Sequence, residues 1–252
     1  QRAQLYAADA LRSSDHDPVV VSLALGFTGR ALVGNADDDQ FDGTGLDDFL
    51  AGAGGDDILD GKAGNDHLDG GPGIDLAVFA ARRDDASLGA TSEGMTIASV
   101  FDGHDILIDV ERLAFNDVSV AFDLGGHAGI VARILGAVFG KEAVRNETYA
   151  GIGLHFLDDG SFDYVSLTEL AITARLAGVV SNLAVVELLW ANVVKQPLPS
   201  TEREYFVGLL DRGEYTIGAL GRLAADTELN AANIDLVGLA QTGLGYLPFH
   251  AD

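Results

Sequence analysis

From Gly34 to Val78 the chain repeats every nine residues, as GNADDDQFD, GTGLDDFLA, GAGGDDILD, GKAGNDHLD and GGPGIDLAV. Glycine opens all five units, and aspartate holds the sixth place in all five: Asp39, Asp48, Asp57, Asp66 and Asp75. The eighth place is apolar throughout, with Phe41, Leu50, Leu59, Leu68 and Ala77. A solvated acidic loop of biased composition has no reason to keep a period of nine with an apolar beat. A fixed period of this kind marks a stack of identical structural units.

The units match the pattern GGxGxDxUx, and in this the segment resembles the RTX (hemolysin-type) calcium-binding repeat family, whose repeats form parallel β-rolls. The first six residues of each unit then form tight turns with positive φ, which glycine tolerates. The last three form a short strand whose eighth side chain points inward. Successive turns fall on alternating sides, so each turn stacks on the one 18 residues later. A hard cation that takes 6 to 8 oxygen ligands would sit between stacked turns. It would be held by one aspartate from each and by carbonyls of turn residues such as Gly52, Gly54, Gly61 and Gly70. Three calcium sites follow as expectations: Asp39 with Asp57, Asp48 with Asp66, and Asp57 with Asp75. Asp37 and Leu46 replace glycine at the fourth place of the first two units and Ile74 ends the run of acids at the fifth, so Asp48, Asp57 and Asp66 form the most regular part. His67, at a variable outward place, reads as a surface residue.

Charge points the same way. The 39 acidic residues against 15 basic ones give a formal charge of -24, which repels nucleic acid and anionic membrane and makes metal cations the first partner to consider. Residues 34 to 78 hold twelve aspartates against the single cation Lys62, in a glycine-rich backbone of high entropy. Without metal such a segment is expected to be disordered, and metal binding then supplies folding free energy. In the RTX family this coupling implies type I export of a bacterial protein, with an uncleaved C-terminal signal, unfolded where calcium is scarce and folded outside the cell. The absence of cysteine excludes a disulfide framework and any thiolate metal site. The longest apolar stretch, LAGVVSNLAVVELLWANVV, carries Glu187 and two asparagines, which predicts an amphipathic helix rather than a membrane span.

Residues 13 to 25, SSDHDPVVVSLAL, resemble the closing S-D-H-x-P-V motif and strand of the endonuclease/exonuclease/phosphatase superfamily. That resemblance implies His16 as a catalytic base or phosphate contact and Asp15 as its metal-supporting neighbour, with Mg2+ or another divalent ion in the parent domain. The other acids and the second histidine of such a site are not in this chain, so residues 1–30 are expected to be inactive alone. With no initiator Met, the chain reads as a piece of a longer protein, in which nucleic acid would be met only through the parent domain. Val19 to Leu25 then becomes a strand in search of a sheet edge.

Residues 76 to 124 alternate as short strands do, in MTIASV, DILIDVERLAFND and VSVAFDL. GHDILIDVERLAFND resembles the segment that caps RTX rolls, and Asp102 and Asp105 there read as turn residues or a further cation site. From Gly125 the spacing becomes helical, with starts expected at a Ser166/Glu169 capping box, a Thr201/Glu204 capping box and Asn230. LGAVFGK (135–141) matches LWANVVK (189–195), and LDDG (157–160) matches LDRG (210–213), which predicts two copies of a helical unit. This part resembles an uncharacterised helical domain found behind RTX repeats. HExxH, GxSxG and phosphate-loop motifs are all absent.

The expected architecture is α+β and multi-domain: a phosphoesterase-like remnant over 1–30, a calcium-bound parallel β-roll over 31–79, a β cap over 80–124 and an α-helical bundle over 125–252. The expected function is a calcium-folded C-terminal module of a secreted, extracellular or cell-surface protein, attached to a metal-dependent nuclease or phosphatase. The alternative is a structural or adhesive module that self-associates or docks on cell-surface components.

Overall fold

The computed structural model of the chain describes residues 19–20, 26–92, 94–177 and 180–249. The protein is α+β and divides into two compact units, Gln1–Val120 and Ala121–Asp252.

In the first unit each nine-residue repeat makes one turn and one strand. The strands of the five repeats are β3 (Gln40–Thr44), β4 (Phe49–Ala51), β5 (Ile58–Lys62), β6 (His67–Asp69) and β7 (Leu76–Val78), preceded by β1 (Val19–Val20) and by β2 (Ala31–Val33), which keeps the same apolar beat at Leu32. They alternate between two sheets. β2, β4 and β6 pair in parallel in one, and β3, β5 and β7 pair in parallel in the other, each register stepping by 18 residues. Side chains on a strand alternate between faces, so each eighth-place residue falls on the same face as its neighbour in the ladder. Leu32, Leu50 and Leu68 make one row and Phe41, Leu59 and Ala77 the other, all buried. β1 pairs antiparallel with β2, Val19 opposite Val33, so this short strand does find a sheet edge.

Both ladders continue past the last glycine-rich unit. β8 (Ser87–Ala90), β9 (Met95–Ser99) and β10 (Gly103–Ile108) form an antiparallel meander, and β10 joins β6 in parallel with Leu107 opposite Leu68. β11 (Arg112–Ala114) joins β7 in parallel, with Leu113 opposite Ala77. β12 (Ser119–Ala121) follows at the boundary between the units.

Glycine is required at the turns where stacking is closest. Gly55 and Gly64 have φ of 102° and 144°, and a Cβ on either would meet the backbone of Asp37 or Leu46 in the turn 18 residues earlier. The second place of the repeat is also left-handed in three units, yet only Gly71 there is glycine: Ala53 and Lys62 adopt φ of 84° and 72°.

The second unit holds α1 (His127–Ile134), α2 (Glu147–Asp158), α3 (Tyr164–Arg175), α4 (Asn182–Val193), α5 (Ser200–Asp211), α6 (Ile217–Ala225), α7 (Glu228–Asn233), α8 (Leu236–Thr242) and β13 (Leu244–Tyr246). Three helix starts differ from those expected. α3 is capped by Asp163 in a reciprocal box with Ser166, because the Asp163 carboxylate already accepts from the Ser166 N–H. α5 begins at Ser200 after Pro199 without a side-chain cap, a place where proline's fixed φ suits the chain entering a helix. α7 is capped by Thr227, and Asn230 is instead fully buried, donating to the carbonyls of Arg133 and Ala225.

The internal repeat extends over three helices. α2 and α5 span twelve residues each, 53 positions apart, and α3 and α6 begin 53 positions apart. Gly160 and Gly213, in the corresponding turns, have φ of 70° and 68°. The Asp158–Asp163 segment is therefore a helix C-terminal turn followed by an N-cap, which explains its acids without a cation. α1 runs into a π-helical turn, Leu135–Phe139, that corresponds to the second half of α4. Its carbonyls at Ala137 and Val138 accept from the Asn192 side-chain amide.

Candidate metal centre

The sixth-place aspartates lie at the start of each strand, and the stacked strands carry them into two columns. All five are buried, 5% exposed or less. In each column the backbone N–H of one aspartate donates to the carboxylate Oδ1 of the aspartate 18 residues later: Asp39 to Asp57 at 2.7 Å, Asp48 to Asp66 at 2.8 Å, and Asp57 to Asp75 at 2.8 Å. The three pairs expected from sequence are the pairs that this ladder joins.

Each column is longer than the glycine-rich repeats. On the first sheet the Arg30 N–H donates to Asp48, and the Asp66 N–H donates to Asp105 at 2.9 Å. On the second, the Asp75 N–H donates to Glu111 at 3.0 Å. Glu111 is the position that reading by glycine misses, and Asp105, expected as a turn residue or a further cation site, belongs to the first column. The signal was present in a plainer form, since Asp105-Ile106-Leu107 and Glu111-Arg112-Leu113 keep the beat of acid, any residue, apolar residue after the glycines have stopped. Asp102 has another role: its carboxylate accepts from the N–H groups of Ala80 and Ala81 and from the Ser99 hydroxyl, which makes it a satisfied turn residue.

A second ladder of opposite sense runs along the fifth place. Asp56 N–H donates to Asp38, Ile74 N–H to Asp56, and Asn65 N–H to Asp47, each at 2.8 Å. The fifth-place acids therefore bind the later turn, and the sixth-place acids the earlier one. Asn65 continues this ladder by accepting from the His104 N–H.

Asp39 and Asp48 use their second oxygen to accept from Asn35 and Thr44, but in the later units one carboxylate oxygen is left over. Oδ2 of Asp57, Asp66 and Asp75 is buried with no hydrogen-bond partner. These oxygens face the glycine that opens their own unit: a Cβ on Gly52, Gly61 or Gly70 would lie within 2.5 Å of Oδ2. Carbonyl oxygens gather in the same places. A Cβ on Gly34 or Gly43 would collide with the carbonyl of Gly52 or Gly61 as well as with the carboxylate of Asp39 or Asp48, and one on Gly70 would meet the carbonyl of Asp109. Gly54 sits at a similar stacking point, its N–H donating to the Asn35 carbonyl at 2.9 Å.

A buried carboxylate oxygen without a partner is costly, and the cost appears as raised pKa values. Burial pushes Asp66 up to about 6 and Asp75 up to about 7, with the neighbouring acids Asp48 and Asp57 adding like-charge repulsion. Asp105 is pushed up to about 7 by burial and by Asp66, and Asp57 is raised for the same reasons. In every case the ladder hydrogen bond from the earlier turn opposes the shift.

Lone carboxylate oxygens, main-chain carbonyls and glycine cradles fit a hard, oxygen-seeking cation. Among the described residues no cluster of three or more acid or histidine side chains is arranged to hold a metal. A cation between turns would therefore draw on carbonyls for most of its ligands. His67 is half-buried and stacks on Phe49 with ring centroids 5.1 Å apart, so it serves the sheet surface. Asp15 and His16 lie outside the described residues. Among the described residues no helix is long and apolar enough to cross a membrane. No family model, curated protein or solved structure matches the chain.

Proposed function

We propose that residues 31–79 are a calcium-bound parallel β-roll, and that the chain is a calcium-folded module of a secreted or cell-surface bacterial protein. The observation that carries this reading is the set of buried, unpartnered Oδ2 atoms on Asp57, Asp66 and Asp75, each facing a glycine and repeated at the spacing of the turns. Asp39, Asp48, Asp57, Asp66 and Asp75 would hold the ions, with carbonyls of turn residues such as Gly52 and Gly61 completing the shells. The chemistry supplied is charge neutralisation. It removes the repulsion within each column and gives every orphan oxygen a partner, so binding free energy becomes folding free energy.

Extracellular calcium modules bind with dissociation constants of about 10⁻⁴ to 10⁻³ M, and the RTX resemblance implies type I export of a chain that folds on meeting that concentration. The nuclease or phosphatase attached to it in this reading rests on Asp15 and His16 by resemblance alone. The test is calorimetric titration with calcium and with magnesium, on the wild-type chain and on Asp57→Asn with Asp66→Asn. Saturable binding of about three calcium ions, lost in large part in the double variant and not reproduced by magnesium, is the expected result. Calcium binding that is undiminished in the double variant would move the sites elsewhere.

A further inference from the structure

The two copies of the helical repeat carry corresponding apolar pockets that differ in size. One, of about 450 Å3, is walled by α1, the π-helical turn, α2 and α3, and includes Leu135, Phe139, Phe156, Leu167 and Leu170. The other, of about 230 Å3, is walled by α4, α5 and α6, and includes Leu189, Val193, Phe206, Leu220 and Leu223. Shifts of 53 or 54 positions carry Leu135 onto Leu189, Phe139 onto Val193, Leu167 onto Leu220, and Leu170 onto Leu223. The same shift of 53 carries Gly153 onto Phe206.

That exchange explains the difference in volume. In the second copy Phe206 contributes its own ring to the wall, and Trp190 lies beside it with ring centroids 6.3 Å apart. In the first copy the same place on α2 is Gly153, which contributes no side chain to the larger pocket and is approached by α1, since a Cβ there would lie 3.0 Å from the Val131 methyl groups. A pocket of this size and lining falls within the range of small-molecule sites. Its one polar side chain is Tyr149, 44% exposed, whose ring packs against Phe139. A π-helical turn in its wall is the kind of irregularity that accompanies binding sites in helices.

We propose that the larger pocket binds a small, flat apolar molecule of one or two rings, held among Leu135, Phe139, Phe156, Leu167 and Leu170 beside the α2 position that carries Phe206 in the second copy. A polar substituent on it would reach the Tyr149 hydroxyl at the mouth. The inference is independent of calcium, since no residue of the aspartate columns takes part.

Indole is the probe, added to the full chain with calcium present while methyl resonances are followed by NMR. Saturable shifts are expected at Leu135, Ile152 and Leu167, with Leu220 and Leu223 of the smaller pocket unmoved. Ala171→Phe projects a ring into the larger pocket from α3, and Gly153→Phe places on α2 the ring its counterpart carries, with Val131 giving way by a few tenths of an ångström. Each should weaken indole binding by about tenfold or more while the helical circular dichroism is kept. Non-saturable shifts, equal shifts in both pockets, or unchanged affinity in the folded variants would overturn the proposal. So would loss of the helical signal in both variants, because a pocket with room for a ring accepts one from at least one wall.

Discussion

Asp66 shows at one residue how this chain sets stability against binding. Its Oδ1 is tied to the Asp48 N–H, its Oδ2 has no partner, and its pKa is pushed up to about 6. At pH 8 the metal-free fold must hold that charge buried. Asp66→Asn keeps the shape and the Oδ1 acceptor and removes the charge. The metal-free fold should therefore become less unfavourable by on the order of 1–2 kcal/mol, while the gain on adding calcium shrinks; β signal by circular dichroism in chelator and the melting temperature in calcium measure the two. An Asn variant that gains no β signal over the wild type in chelator would mean that the charge is already compensated. Ala53 offers a separate test. A left-handed φ of 84° costs alanine about 1–2 kcal/mol, partly offset by the extra chain entropy of glycine. Ala53→Gly should stabilise the protein by roughly 0.5–1 kcal/mol in urea unfolding, with no change in calcium affinity.

At the scale of elements, the two columns link every strand of the repeats to its neighbour and then to β10 and β11. Their titration sets a pH dependence whose sign can be worked out. Asp66, Asp75 and Asp105 have folded-state pKa values of about 6, 7 and 7, all raised above the ordinary value near 4. Their contribution to metal-free stability is fully present below about pH 4 and is lost as pH rises through 6 to 7. Protonation at pH 5 should stand in partly for the cation, so the chain in chelator should show more β signal by circular dichroism at pH 5 than at pH 8. Calcium must displace these protons, so its affinity should fall as pH drops through the same interval and binding at pH 6 should release protons, as titrations in two buffers of different ionisation enthalpy would reveal. The inner rows set a different cost: Leu59→Ala, at a fully buried position, should destabilise by about 2–5 kcal/mol, read by urea unfolding in calcium.

The strands and the columns were legible from residues 34 to 78 because period, glycine and apolar beat agree there. The helical repeat could be read from LGAVFGK and LWANVVK. Glu111 was not read, and Asp105 was read only as a turn residue or a separate cation site, because meander strands replace the glycine turns while the beat of acid and apolar residue goes on. Helix starts at Asp163 and Thr227 were missed because several polar residues near each start could serve as a cap, and backbone geometry chooses among them.

On the scale of the whole molecule, the proposed function makes the first unit, with its acidic, glycine-rich repeats, conditional on a cation, whereas the second unit is built on an ordinary apolar core. At a hundredfold excess over its dissociation constant each ion contributes about 2.7 kcal/mol. Three such ions supply a large part of what a domain of this size needs to stay folded. The account thus predicts two transitions of different character in one chain: a calcium-dependent one for the first unit and a calcium-independent one for the second.

The most direct test is far-UV circular dichroism of the chain during a calcium titration from chelator to about 10 mM, the range that covers extracellular calcium modules, with magnesium in parallel. The predicted result is a cooperative gain of β signal in the sub-millimolar to millimolar range, absent with magnesium, over a helical signal already present in chelator. A spectrum that does not change between chelator and calcium would contradict the claim that the aspartate columns need a cation to fold.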